Sequence, residues 1–285
     1  MSAATDPNAD IPFTPSATAA TITPPANPPG ALATLSTIAK RSGYKMLRTP
    51  QIAGIAVVQS LVFLFMFRYV IGGAIGVPGV EYVDFLVPGF VVAGILFTGG
   101  GGAVGTAEDS ESGLFDRLKS LPIHDSATLT GRILADAALL WVVAVITLAV
   151  GFVIGFRLSG PTFGLLGALA LLVVYALAVS TVFTLLGMVS GSAQAAQGLS
   201  ILAVPFSFIS SAFVPVDTMP SWLQWFANWQ PLTFMVNSWR GLMLNDNVSA
   251  TFDHSTSFYV VGSVIWSVVI GLVGMVVLLR AYRKE

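Results

Sequence analysis

Residues 99–105, GGGGAVG, are the first stretch that could do chemistry, because glycine-rich turns let backbone amides surround phosphate oxygens. A nucleotide loop needs G-x-x-x-x-G-K-[ST], with the lysine on the phosphates and the hydroxyl on magnesium. Thr106 follows the run where lysine is required, and no lysine appears before Lys119. This is not a nucleotide site, and the glycines are read as positions for close helix packing or a helix break. Other chemistries lack their groups as well. The chain has no cysteine, and His124 and His254 are too far apart to form a metal-ligand spacing. No His-Glu-x-x-His, nucleophile elbow or paired intramembrane aspartate is present, which argues against a membrane-embedded enzyme. No catalytic, metal or cofactor-binding residue is assigned.

Ion-driven carriers place Asp, Glu or His inside the bilayer to bind or relay the coupling ion. Asp136 is the deepest acidic residue, and Arg132 precedes it by four positions, one helical turn, so a boundary ion pair accounts for it. Arg68 and Arg157 can snorkel to the far surface. Ion coupling is disfavoured, although Gln59, Ser60 and backbone carbonyls could still hold sodium.

These residues must be carried by membrane helices. Of 285 residues, 55% are hydrophobic and 9% charged, against about 25% charged in soluble domains. Mean hydropathy is +0.82. A net charge of −1 argues against nucleic acid as a partner. Six apolar segments are long enough to cross: about 52–71, 83–107, 133–156, 163–189, 199–214 and 258–279. The fifth is shortest and contains Pro205. Lys40, Arg41, Lys45 and Arg48 precede the first span, Arg117, Lys119 and Arg132 lie between the second and third, and Arg280, Arg283 and Lys284 follow the last. Basic residues favour the cytoplasmic side, so both termini are expected there. The fold class is thus an all-α polytopic membrane protein of six transmembrane helices. Residues 1–30, rich in Pro, Ala and Thr, predict a disordered cytoplasmic tail. Residues 31–50 predict an amphipathic interfacial helix, with Leu32, Leu35, Ala39 and Met46 opposite Arg41, Lys45 and Arg48.

Between spans two and three, Leu114, Leu118 and Leu121 recur at i, i+4 and i+7, with Phe115 beside them and Asp116, Arg117 and Lys119 away from them. Ser112 is the expected N-cap and Pro122 the stop, with Glu108, Asp109 and Glu111 near the start. This predicts a short amphipathic helix across the cytoplasmic mouth of the two spans; a capped surface loop is the plainer alternative. Beyond span five, Trp222, Trp225 and Trp229 recur at i, i+3 and i+7, as in an outer aromatic belt. Arg240 is expected to pair with Asp217 or Asp246, or with lipid phosphate. Gly187, Gly191 and Gly198 are candidates for close helix contacts.

The runs EDSESGLFDRLKSLPI (108–123) and GRILAD (131–136) resemble the first cytoplasmic loop of ABC-2 type exporter permeases, particularly the daunorubicin-resistance branch. A second resemblance lies in 216–240, VDTMPSWLQWFANWQPLTFMVNSWR, with Pro231, Leu232 and Arg240 where the family carries P-L and, further on, Arg; Phe234 departs from the more usual His, Arg, Ser or Tyr. The resemblance covers about 31–285 and implies an ABC-2 exporter fold, with a six-helix transmembrane domain over 51–285. It implies that Glu108, Glu111, Gly113, Leu114, Asp116, Arg117, Leu118 and Pro122 form a coupling helix docked on a separate ATP-binding subunit. It also implies that Pro220, Trp222, Trp225, Trp229, Pro231 and Arg240 belong to a re-entrant or interfacial outer gate. ATP and magnesium would then bind the partner, present in two copies, and a second permease copy or a paralogue would complete the path. A path without charge at mid-depth points to a hydrophobic or amphiphilic cargo such as a drug, polyketide or lipid. Export of lipid-linked glycans, ion-coupled secondary transport and a non-transporting membrane scaffold stay open as alternatives.

Overall fold

The structure, a computed structural model, describes residues 50–73, 81–120, 125–244 and 254–282. The expected tail at 1–30, the interfacial helix but for Pro50, and Leu121, Pro122, His124 and Asp246 lie outside the described residues. Within them the chain is helical, without strands. Helix α1 (Pro50–Phe65) runs into a π-helical turn (Met66–Ile71), and α2 (Tyr82–Glu111) follows. After a short α3 (Leu114–Lys119) come α4 (Asp125–Val153) and α5 (Thr162–Val189). Two short helices, α6 (Ala193–Ser200) and α7 (Ala203–Phe208), lead through a 3-10 turn (Val216–Thr218) to α8 (Ser221–Trp229) and α9 (Pro231–Met243). Helix α10 (Thr256–Tyr282) ends the described chain.

Helices α2, α4, α5 and α10 are long and apolar enough to cross a bilayer, and 57–71 forms a shorter apolar helix. The chain is a multi-pass membrane protein. Helix α2 is the most enclosed of the four and α10 the most exposed to surroundings. In lipid, apolar faces gain little by leaving the solvent, so packing rests on small residues and buried hydrogen bonds. Gly187 of α5 packs on the Ala103 carbonyl and Thr106 of α2, where a Cβ would collide. Of the other glycines singled out above, Gly191 adopts φ +71 in the turn before α6, and Gly198 faces open space.

The expected fifth span is not one helix. After α6, residues 201–202 form a turn, α7 lasts six residues, and 209–215 are non-helical. Pro205 lacks an amide hydrogen. Nearby serines offer the backbone local partners instead. Ser207 Oγ donates to Val204 O (2.7 Å), Ser210 Oγ donates to Ser207 O (2.5 Å), and Ala212 N donates to Ser210 Oγ (3.1 Å).

Candidate functional site

The elbow between α2 and α3 begins with Gly113 at φ +67, a left-handed turn that a side chain would strain. Gly113, not the expected Ser112, sits at the N-cap of α3; Ser112 closes α2, its Oγ donating to Asp109 O (3.0 Å). The anchor of α3 is Phe115, 4% exposed and edge-on to Tyr282 of α10 at 5.7 Å, within a small core of Leu129, Ile133, Met188 and Leu278. The helical stripe expected to pack instead splits: Leu114 and Leu118 are half-buried and line a cavity. Lys119 Nζ lies 4.8 Å over the Tyr282 ring and 3.9 Å from Asp116. Glu111 Oε1 accepts from Ala193 N (3.1 Å) beside the Ser192 cap of α6, and so ties the elbow to the broken segment. Glu108, Asp116 and Arg117 stand exposed. The elbow therefore contacts the ends of α4, α5, α6 and α10 while presenting mixed charge outward.

A cavity of about 530 Å³ opens from this elbow along α1, α2, α4 and the α6–α7 break. Arg132 is ion-paired to Asp109 and, at 3.5 Å, to Asp136 as its spacing predicts, and it also donates to Gly102 O (3.4 Å). A Cβ at Gly102 would meet Asp136 at 3.3 Å, one at Gly105 would meet Arg132 at 2.9 Å, and one at Gly100 would meet Ser200 at 3.0 Å. These glycines seat an ion pair and two helices against α2; the run neither breaks the helix nor forms a loop. Farther along, Phe63, Phe67, Phe97 and Phe208 form an aromatic wall, with Phe213 stacked behind Phe67 at 4.8 Å. Phe67 belongs to the π-helical turn, a geometry frequent at functional sites. The sequence reading found Arg132 and Asp136 but not this wall, whose members come from α1, the π-helical turn, α2 and α7.

At the opposite end of the bundle, α9 carries a polar stripe. Gln230, Thr233, Asn237 and Arg240 fall at i, i+3, i+7 and i+10, and each reaches the non-helical segment 209–212. Gln230 Nε2 donates to Ile209 O, Ser211 N donates to Thr233 Oγ1 (3.2 Å), and Ser211 Oγ donates to Asn237 Oδ1 (3.0 Å). Arg240 Nη2 donates to Ala212 O (3.0 Å) and Phe85 O (2.9 Å), Nε donates to Phe85 O (3.0 Å), and the guanidinium lies 3.5 Å over the Phe85 ring. Among the described residues these are its partners, in place of Asp217 or lipid phosphate; Asp246 lies outside them. Unpaired backbone in an apolar interior costs roughly 2–7 kcal/mol per group, so a helix break inside a membrane protein needs such a stripe. Gly89 lets the Ala212 carbonyl approach α2 closely.

Of the other residues at this end, Trp222, Trp225 and Trp229 are 75%, 71% and 53% exposed, so their spacing describes an exposed aromatic face rather than a core. Pro220 caps α8 and Pro231 begins α9. Phe234 packs on Trp229, Phe258 and Tyr259, beside Gly262, an aromatic cluster that suits the phenyl ring found at this position. The His254 ring lies tilted against Phe258 at 4.3 Å, and no metal-ligating cluster occurs among the described residues.

The sequence pattern of the family described as ABC-2 type transporter matches residues 33–244. The chain is 34% identical over 188 residues to "Daunorubicin resistance ABC transporter permease protein DrrB1" of Streptomyces coeruleorubidus, covering 66% of each chain. It is 24% identical over 230 residues to "Probable doxorubicin resistance ABC transporter permease protein DrrC" of Mycobacterium tuberculosis (strain CDC 1551 / Oshkosh), covering 80% of each. It is 26% identical over 179 residues to "ABC transporter G family member 20" of Dictyostelium discoideum, covering 59% of this chain and 23% of that one. The matched region holds the elbow, the cavity and the polar stripe, and the chain belongs to the ABC-2 type transporter family.

Proposed function

We propose that this chain is the permease subunit of an ATP-driven exporter that carries a hydrophobic or amphiphilic cargo out of the cell. In this reading the chain crosses six times, through α1 with its π turn, α2, α4, α5, the broken α6–α7 segment and α10, with both termini cytoplasmic. ATP and magnesium are bound by a separate ATP-binding subunit, and two copies of each subunit, or a paralogue in place of one permease, complete the transporter. Residues 108–122 dock on that subunit, and the α8–α9 hairpin with its tryptophans closes the outer end of the path.

The observation that carries this reading is the elbow. A short helix with exposed Glu108, Asp116 and Arg117 is held by Phe115 against Tyr282 and by Glu111 against the start of α6. A surface that is charged outside and locked inside can pass a partner's movement to several helices at once. The drug-resistance names of two relatives support an amphiphilic cargo. Ion coupling gains little from Asp136, which is paired with Arg132.

The test is co-expression with a cognate ATP-binding subunit and measurement of ATP-dependent accumulation of cargo in inverted vesicles. Arg117→Glu should abolish accumulation while leaving membrane insertion intact. Unchanged accumulation together with unchanged co-purification of the ATPase would overturn the docking assignment.

A further inference from the structure

We propose that the small pocket where α8, α9 and α10 meet is an aromatic cage for the headgroup of a choline-type phospholipid. The quaternary ammonium sits among the rings, and the acyl chains lie along α10. The site needs neither ATP nor a partner subunit, so it stands apart from the exporter reading.

The pocket holds about 110 Å³ and is lined by Asn228, Trp229, Phe234, His254, Phe258 and Tyr259. Drug-sized ligands need about 300 to 1,000 Å³ and a water takes about 30 Å³, so the space suits one compact group. Four of the six lining residues are Trp, Phe or Tyr, and among the described residues no Lys, Arg, Asp or Glu lines it. Ring centroids stand 5.6 Å apart between Phe234 and Tyr259 and between Phe258 and Tyr259, both pairs edge-on, while Trp229 is tilted to Phe234 at 6.1 Å. Rings at steep angles wall a space, whereas stacked rings fill it. The faces of such rings carry negative potential, which attracts a weakly hydrated cation. A quaternary ammonium has no N–H to satisfy and suits a mostly aromatic lining; a primary ammonium would leave donors unpaired.

The walls are held in place by close helix contacts. Phe234 sits against Gly262, where a Cβ would collide with the ring, and Gly241 admits Thr256 in the same way. Position 234 thereby gains a use for its phenyl ring. An arginine, one of the residues more usual there, would place a repelling charge in the floor of the cage. The lipid follows from α10. Phe258, Val261, Ile265, Val268 and Leu272 recur at i, i+3, i+7, i+10 and i+14, all exposed, in one apolar stripe that starts at the pocket. A headgroup in the cage and acyl chains on that stripe belong to one molecule.

The test is native mass spectrometry of the purified full chain with equal amounts of dioleoyl phosphatidylcholine and dioleoyl phosphatidylglycerol. Trp229→Leu and Phe258→Leu keep apolar surface and remove a ring, and both positions are exposed, which spares the core. Each should lower retention of phosphatidylcholine at least about threefold and leave phosphatidylglycerol unchanged, whereas Trp229→Phe should keep most of it. Free choline should displace the retained phosphatidylcholine about tenfold more effectively than its uncharged isostere, 3,3-dimethylbutan-1-ol. Phosphatidylcholine retention unchanged in both leucine variants, equal loss of the two lipids, or equal displacement by the isostere overturns the proposal. So does binding of free choline without selective retention of phosphatidylcholine, which would make the ligand a soluble amine.

Discussion

At Arg240 a guanidinium is kept 1% exposed by two backbone carbonyls and one aromatic face. Its removal strands the Phe85 and Ala212 carbonyls in an apolar interior. Arg240→Ala should lower stability by about 3 kcal/mol, seen as a fall in the unfolding midpoint in detergent. Arg240→Lys should recover only part of it, because an ammonium lacks the planar fork that bridges two acceptors and stacks on a ring. Phe115 is the corresponding residue at the other end. Phe115→Ala should leave the chain inserted but free the elbow from Tyr282, and ATP-dependent transport per folded molecule should fall more than tenfold, in addition to the lower midpoint that truncating a buried ring costs. A large fall in the midpoint with transport per folded molecule unchanged would make Phe115 merely structural.

Among the helices, closeness is set by where glycine is present and what lies opposite. Gly187→Leu should disrupt the α2–α5 contact at a cost of about 1–3 kcal/mol, because the Ala103 carbonyl cannot retreat, whereas Gly198→Leu should leave the midpoint unchanged in the monomer. Thermal unfolding of the two variants side by side distinguishes them. The long helices were legible in the sequence because each, at 27 to 30 residues, contains an apolar stretch long enough to cross a bilayer. The break in the fifth segment was only half legible. Pro205 announced it, and the serines beside it bond over two or three residues, but the polar stripe of α9 acts across 21 to 28 residues of sequence. The stripe does have a local signature, polar residues at helical spacing in an otherwise apolar segment, and Arg240 is its last member. The anchoring of α3 through Phe115 was not legible for a similar reason. Leucine spacing marks an amphipathic face, but the decisive neighbour of Phe115, Tyr282, comes from the far end of the chain.

Taken as one body, the molecule has two differently built ends, with the cavity opening from the elbow toward the broken segment. One end is an elbow with outward charge and an aromatic anchor; the other is a helix hairpin that plugs a break in the bundle. If the elbow moves, Glu111 and the α6 cap carry that movement into the broken segment, whose far end is gripped by α9. Transport by this scheme requires the elbow inside the cell and the α8 tryptophans outside. The chain contains no cysteine, so single cysteines report cleanly on sidedness. The most direct measurement is labelling of Arg117→Cys and Trp222→Cys by a membrane-impermeant maleimide in intact and permeabilised cells. Position 222 should react in intact cells and position 117 only after permeabilisation; reaction of position 117 in intact cells would contradict the account.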